Sequence, residues 1–336
     1  MDAVRELPAA AADAPALFNA WQRDFPLVAR PFDALGAPHG LTGAQVRTLV
    51  AEGIADGRVS RIGAVFGVGA GGTGMLCALA VPPAELERAA AIVNAEPGVN
   101  HNYAREHLYN LWFVVTACDV PALFATLARI ERATGLAALR LPMRRAYRID
   151  LGFDLFEGPQ ADPAPAPRRR PHGADPVPAG LRPLAARLED GLALVERPFA
   201  ALGAPLGMDE TAVIDTLRGW CDAGTLRRLG LVLRHHEFGI AANAMTVFDL
   251  PEDEVDAFGA RLALQPGVTL CYRRARAPGW PYTLYCMVHG RERGAVLQLI
   301  DAATQAAGLA GRPRETLFSS RRFKQTGARY FGPAAA

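Results

Sequence analysis

The chain has 336 residues, 50% of them hydrophobic and 21% charged, which suits a soluble globular protein with two or three domain cores. A net charge of only +2 excludes any global electrostatic case for nucleic acid or a membrane surface. The basic side is almost all arginine, with Lys324 the single lysine. A GC-rich genome gives that bias, but arginine also offers planar forks for carboxylates and flat rings, which lysine does not.

In chain order, the opening MDAVRELPAAAADAPALF carries early acids and no continuous apolar core, so no signal peptide is expected. A helix is predicted over 14–25, followed by the turn-rich PFDALGAPHG. In LTGAQVRTLVAEGIADG, Thr42 occupies a cap position, Val46, Leu49, Val50 and Ile54 recur at helical spacing, and Gly57 supplies a stop. VSRIGAVF reads as a β-ribbon, and GVGAGGTG (67–74) as a loop that lacks the phosphate-binding GxGxxG spacing. Strand MLCALAV, helix 83–95, strands 99–107 and 109–117, helix 120–134 and strand 139–149 follow, which is the β-α-β-β-α-β order of a ferredoxin-like unit.

Residues 157–180 hold seven prolines in 24 positions and read as a linker. Beyond it the pattern repeats: helix 208–222, ribbon LRRLGLVLRH, strand NAMTVFDL, helix 252–264, strands 268–276 and 282–289, helix 291–307 and a strand near 316–324. The repeat is also literal. LVARPFDALGAP (27–38) and LVERPFAALGAP (194–205) agree at ten of twelve positions. Pro97-Gly98-Val99 answers Pro266-Gly267-Val268, Tyr109-x-Leu111 answers Tyr282-x-Leu284, and Arg144-Arg145 is set against Arg321-Arg322. The expected fold is therefore α+β: a tandem duplication of a winged helix-turn-helix followed by a ferredoxin-like α/β sandwich, the layout of the Lrp/AsnC regulators. The expected segments are 1–66, 67–156, the linker 157–180, 181–236 and 237–336.

A DNA-reading helix needs positive charge toward phosphates. Here 42–56 sets Arg47 against Glu52 and Asp56, and 208–223 sets Arg218 against Asp209, Glu210, Asp215 and Asp222. Both helices are net acidic, so no DNA partner is expected. Five cysteines without CxxC spacing argue for reduced thiols and a cytoplasmic protein, and no apolar run of about 18 residues suggests a membrane span. No His/Cys/Asp/Glu group has zinc-like spacing, so no metal site is expected.

The basic side chains gather on ribbons and strands. Copy one offers Arg61, then His101, Tyr103 and Arg105 in HNYAREH, then Arg144 and Arg145. Copy two offers Arg227, Arg228, Arg234 and His235, then Tyr272, Arg273 and Arg274 in CYRRAR, then His289 and Arg321. Arginine and histidine interleaved with aromatics suit a cleft for something flat with an anionic rim, the alternative being a solvated basic sheet face. Arg105 shares a strand face with His101. His235 and His236 are taken as strand neighbours that point opposite ways, hence not a metal pair.

The stretches HNYAREHLYNLWFVV and RRLGLVLRHHEFG…CYRRARAPGWPYTLYCMVHGR resemble the siroheme decarboxylases, two-subunit relatives of the Lrp/AsnC family that act in d1-type heme biosynthesis. The likeness covers nearly all the chain outside the N-terminal extension and linker, as a fusion of the two partners. It implies removal of two acetate carboxyl groups from siroheme to give didecarboxysiroheme, with no cofactor beyond the iron tetrapyrrole that is substrate and product. It also implies a proton donor, for which His101 is the candidate, with His235 or His289 as a second. Tyr103 and Arg105 would orient substrate, while Arg227, Arg228, Arg234, Arg273 and Arg274 would bind carboxylates. Leu270 stands where copy one has His101, which concentrates the chemistry on His101. By analogy with Lrp-type dimers the two copies should pack through their sheets, with homo-oligomers or other heme-biosynthesis proteins as further partners. A tetrapyrrole carrier or sensor without chemistry, or a transcription regulator, are the alternative readings.

Overall fold

The computed structural model describes residues 14–149, 152, 155 and 174–332, so the N-terminal extension and most of the predicted linker lie outside the described residues. The chain forms two compact units, and each draws on both copies of the repeat: residues up to 71 with 169–238, and 72–168 with 239 onward.

The first unit carries the helix-turn-helix elements α1 (Ala14–Ala20), α2 (Pro31–Gly36), α3 (Gly43–Ala55), α6 (Arg182–Asp190), α7 (Pro198–Gly203) and α8 (Glu210–Ala223). It also holds strands β1 (Val59–Phe66) and β6 (Leu226–Leu233). Thr42 and Gln45 form a reciprocal capping box at the start of α3, satisfying two otherwise orphaned N–H groups, and Gly57 at φ +86° follows its end. Val46, Leu49 and Val50 are buried as the spacing requires, whereas Ile54 remains 38% exposed. Helix α8 is capped by Asp209 and stopped by Gly224 at φ +73°, burying Val213, Ile214, Leu217 and Trp220. Strands β1 and β6 pair antiparallel about Gly63 and Gly230, so one strand from each copy builds the ribbon. The first helix ends at Ala20, short of the predicted 25, and Asp24 just beyond it takes φ +54°.

The second unit holds β2 (Thr73–Leu79), α4 (Leu86–Ala95), β3 (Val99–Arg105), β4 (Leu111–Ala117), α5 (Val120–Thr134) and β5 (Leu139–Ile149) from copy one. Copy two supplies β7 (Ala242–Phe248), α9 (Val255–Leu262), β8 (Val268–Arg274), β9 (Leu284–Gly290), α10 (Arg293–Ala306) and β10 (Arg314–Gln325). All eight strands close into one antiparallel barrel, in the order β10-β3-β4-β2-β5-β8-β9-β7. The long last strand of each copy makes the closure. β5 pairs with β2 through Pro142 and with β8 from Met143 onward; β10 pairs with β7 through Phe318 and with β3 from Ser319 onward. Advancing four places round the barrel carries each copy-one strand onto its copy-two counterpart, so a half-turn about the barrel axis relates them. Closure leaves no sheet edge to satisfy.

Strand alternation divides the apolar residues into three clusters. One packs β2–β4 on α4 and α5, around Val93, Phe113, Leu127 and Ile130. A second packs β7–β9 on α9 and α10, around Phe248, Leu262, Val288 and Ile300. The third lines the barrel interior with Trp112, Leu141, Met245, Val247, Trp280, Tyr285 and Leu317. Each such side chain removed from water contributes roughly 1.5–3 kcal/mol. Among the described residues no helix is long and apolar enough to cross a membrane.

Candidate active site

The interior-facing row of the barrel depends on a β-bulge. Val99 pairs with Val115, yet His101 pairs with Val114, so one residue is inserted and the strand turns over. Val99 lies in the helix-facing core, and Asn102 reaches Ala90 O and Asn94 on α4. His101, Tyr103 and Arg105 therefore share the opposite, interior face. The His101 and Tyr103 rings stack at 6.2 Å, and the Arg105 guanidinium lies 6.0 Å from the Tyr103 centroid. The same bulge recurs in copy two between Val268 and Leu270, which puts Leu270, Tyr272 and Arg274 on the interior face there.

Arg105 is only 7% exposed. Its Nη1 donates to Leu317 O at 2.8 Å, its Nη2 lies 3.4 Å from Asn243 Oδ1, and its Nε is buried without a partner. No carboxylate contacts it among the described residues, and burial pulls its pKa down to about 10. Burial also raises the pKa of Tyr103, so that phenol is a neutral donor. Arg274 is the half-turn equivalent. It donates to Leu141 O at 2.8 Å, stands 5.2 Å from the Tyr272 centroid and 5.7 Å from that of Tyr285, and has a lowered pKa from burial. Tyr272, like Tyr103, is pushed up by burial.

His289 on β9 is half-buried beside Arg105, and desolvation first, that positive charge second, depress its pKa to about 4. Its Nδ1 lies 2.9 Å from Thr269 Oγ1 and its Nε2 lies 3.0 Å from Asn243 Nδ2. A neutral ring with both nitrogens engaged is poorly placed to donate a proton at neutral pH. That environment separates His289 from the role of second donor and makes it a partner of Asn243.

The remaining basic residues fall elsewhere. Arg145 pairs with Asp256 at 2.8 Å, and Arg273 with Glu252 and Asp256, on the α9 side of the sheet. Arg321 pairs with Glu87 of α4. Arg144, Arg145, Arg273 and Arg276 line an open groove of about 630 Å³ together with Glu252 and Asp256, and three of these four arginines pair with carboxylates. Setting Arg144-Arg145 against Arg321-Arg322 is off by one residue: Arg145 pairs with Arg273 where Arg321 pairs with Ala104, the equivalent position, so Arg145 and Arg321 are the counterparts. Twofold bulges in β5 and β10 conceal that register from the sequence.

In the first unit, Arg228 donates to Gln22 O and Leu231 O, and Arg234 to Gly57 O, so both brace backbone. Arg227 is exposed on β6, and Arg61 packs alongside Gly63 and Gly191 on β1. His235 and His236 lie in a 3-10 turn, His235–Phe238, rather than on a strand, so the opposite-faces argument does not apply to them. Among the described residues no group of three or more His, Cys, Asp or Glu side chains is placed to hold a metal ion.

The barrel belongs to a known class of ligand-binding domain: the sequence model of the AsnC-like ligand binding domain matches residues 69–148 and 237–324, half of the chain. A second model, the siroheme decarboxylase NirDL-like HTH domain, matches 183–227. The siroheme decarboxylase NirDL subunit of Paracoccus pantotrophus is 44% identical over 314 residues, 93% of this chain and 95% of that protein. The NirL subunit of Stutzerimonas stutzeri is 48% identical over 147 residues, 44% of this chain and 86% of its own length, as a match to part of a fused chain would be. A crystal structure of siroheme decarboxylase NirDL in co-complex with an iron-uroporphyrin III analogue superposes with a TM-score of 0.65 at 26% identity, covering 96% of this chain and 95% of that one. The chain belongs to the siroheme decarboxylase family.

His101, Tyr103, Arg105, Tyr272 and Arg274, singled out from the sequence, lie on the interior face of the barrel; Asn243, which meets Arg105 there, was not among the residues singled out. The signal of Asn243 is a lone amide in a stretch, AANAMTVF, whose one other polar residue is Thr246.

Proposed function

We propose that this chain is a cofactor-independent carboxy-lyase that removes two acetate carboxyl groups from siroheme to give didecarboxysiroheme. The observation that carries the site assignment is the buried, uncompensated cation of Arg105 on one strand face with Tyr103 and His101. A ligand carboxylate meets that charge, and Tyr103 offers an aromatic wall and a neutral hydroxyl. The bond between the acetate methylene and its carboxyl carbon breaks, CO₂ leaves, and the electron pair passes into the macrocycle. His101 gives a proton to the methylene, leaving a methyl group, and regains it from solvent. Arg274 and Tyr272 hold a carboxylate in the copy-two half, where Leu270 supplies no donor. Helix α8 is net acidic, and so is α3 once its C-cap Asp56 is counted, which disfavours a DNA partner, and five free cysteines support a cytoplasmic setting.

The test is anaerobic incubation with siroheme followed by product mass. Loss of two CO₂ from wild type is expected, and unchanged mass would favour a carrier. His101→Ala should abolish turnover while siroheme still binds by absorbance titration; wild-type rates in that variant would remove His101 from the mechanism.

A further inference from the structure

Most arginines around the barrel have acidic partners: Arg129 meets Glu96, Arg140 meets Glu131, and Arg312 meets Glu254. Arg105 is far more buried than these and has none among the described residues. Removing a cation from water without a counter-ion costs several kcal/mol, so the fold must hold it deliberately. The residue opposite its Nη2 is Asn243, the neutral isostere of the aspartate that would satisfy it.

We infer that Asn243 and His289 are positioning residues that fix Arg105 as a cation lacking a protein counter-ion, so that a ligand carboxylate becomes its counter-ion. The inference rests on the reading of Arg105 as a substrate contact. A directed chain of hydrogen bonds supports it. Thr269 donates its hydroxyl proton to Met287 O at 3.1 Å, so it accepts from Nδ1–H of His289. Nε2 then keeps its lone pair and accepts from the Asn243 amide nitrogen, which turns Oδ1 toward Arg105 and toward Ser319 Oγ at 3.3 Å. Reversing any link sets donor against donor. The half-turn equivalents of Asn243 and His289 are Gly74 and Thr116, paired with each other in the same register. Arg274 has no such brace and rests on two tyrosine rings instead. Among the described residues, the half that carries His101 is therefore the one whose cation is braced by an amide and an imidazole, Arg274 being held by Leu141 O and the two rings.

Asn243→Asp separates positioning from mere packing, because it changes charge and hardly any shape. An internal carboxylate should leave the melting temperature unchanged or raised, yet raise KM for siroheme at least about tenfold and weaken binding of metal-free uroporphyrin comparably. His289→Gln, whose amide oxygen can replace the Nε2 acceptor, should keep uroporphyrin affinity within about threefold of wild type, whereas His289→Phe should lose about tenfold. This pair decides the question if Asn243→Asp does not fold. Unchanged uroporphyrin affinity in Asn243→Asp, equal affinities in the two His289 variants, or no uroporphyrin binding by wild type would each overturn the inference. Wild type that binds uroporphyrin but leaves siroheme unaltered would remove the decarboxylase reading while these binding comparisons still judge the positioning.

Discussion

Burial beside Arg105 leaves His289 neutral, and that neutrality has a cost that appears only in acid. Its folded pKa of about 4 lies below its ordinary 6.5. Between those values the unfolded chain binds a proton that the folded chain refuses, so stability rises with pH across that window. The contribution is intact above pH 6.5 and is lost progressively as pH falls toward 4, by about 3 kcal/mol in total. Urea titrations at pH 7 and pH 5 should show the loss in wild type and a smaller one in His289→Gln; equal losses would place the acid sensitivity elsewhere. A second residue-scale expectation concerns Arg105. Arg105→Lys keeps the charge but loses the fork, so siroheme KM should rise about tenfold or more, measured by steady-state kinetics. Strand alternation made the His101, Tyr103 and Arg105 row legible from residue identities alone. The Asn243–His289 brace was not, because Asn243 and Arg105 lie 138 positions apart and meet only through barrel closure. Nor could charge alone tell Arg105 from Arg273, since only the fold sets Glu252 and Asp256 against the latter.

Elements were legible wherever their ends carry chemical signals. Helix α5 runs Val120–Thr134, as predicted, because Asp119 accepts from Ala122 N at 2.8 Å and Gly135 takes φ +74°. Helix α9, predicted over 252–264, contracts to Val255–Leu262, and no side chain caps its start. Bulges in β3, β5, β8 and β10 left no mark in residue type, which is why the two arginine pairs slid by one. Packing, not propensity, governs α9. An alanine at Gly259 would gain about 1 kcal/mol of helix propensity. Its Cβ would, however, stand 2.3 Å from Tyr147 Cε2, and that ring is held by burial and by its hydroxyl donating to Asp256. Overpacking of that kind costs about 1–3 kcal/mol, so Gly259→Ala should lower the midpoint of thermal unfolding. A rise would show that the ring can move aside.

At the scale of the whole molecule, duplication was the plainest thing in the sequence, and the analogy with Lrp-type dimers already set the two copies sheet to sheet. What the sequence did not disclose is how far strands interleave across the copies: β1 with β6 in one unit, and β5 with β8 and β10 with β3 in the other. The interior cluster draws Trp112 and Leu141 from copy one and Trp280, Tyr285 and Leu317 from copy two, so neither half can bury its own interior face. A single copy would also expose the unpaired edges of β3 and β5, which invites pairing with any available strand. Cutting the chain within 157–173 should therefore be tolerated only when both pieces are present. Co-expressed fragments should copurify as a 1:1 complex by light scattering, with decarboxylation of siroheme retained. Either fragment alone should self-associate or aggregate, because the surface each lacks is the other's sheet. A copy-one fragment that stayed monomeric, folded and active would show that the barrel is dispensable, and with it the brace that copy two lends to Arg105.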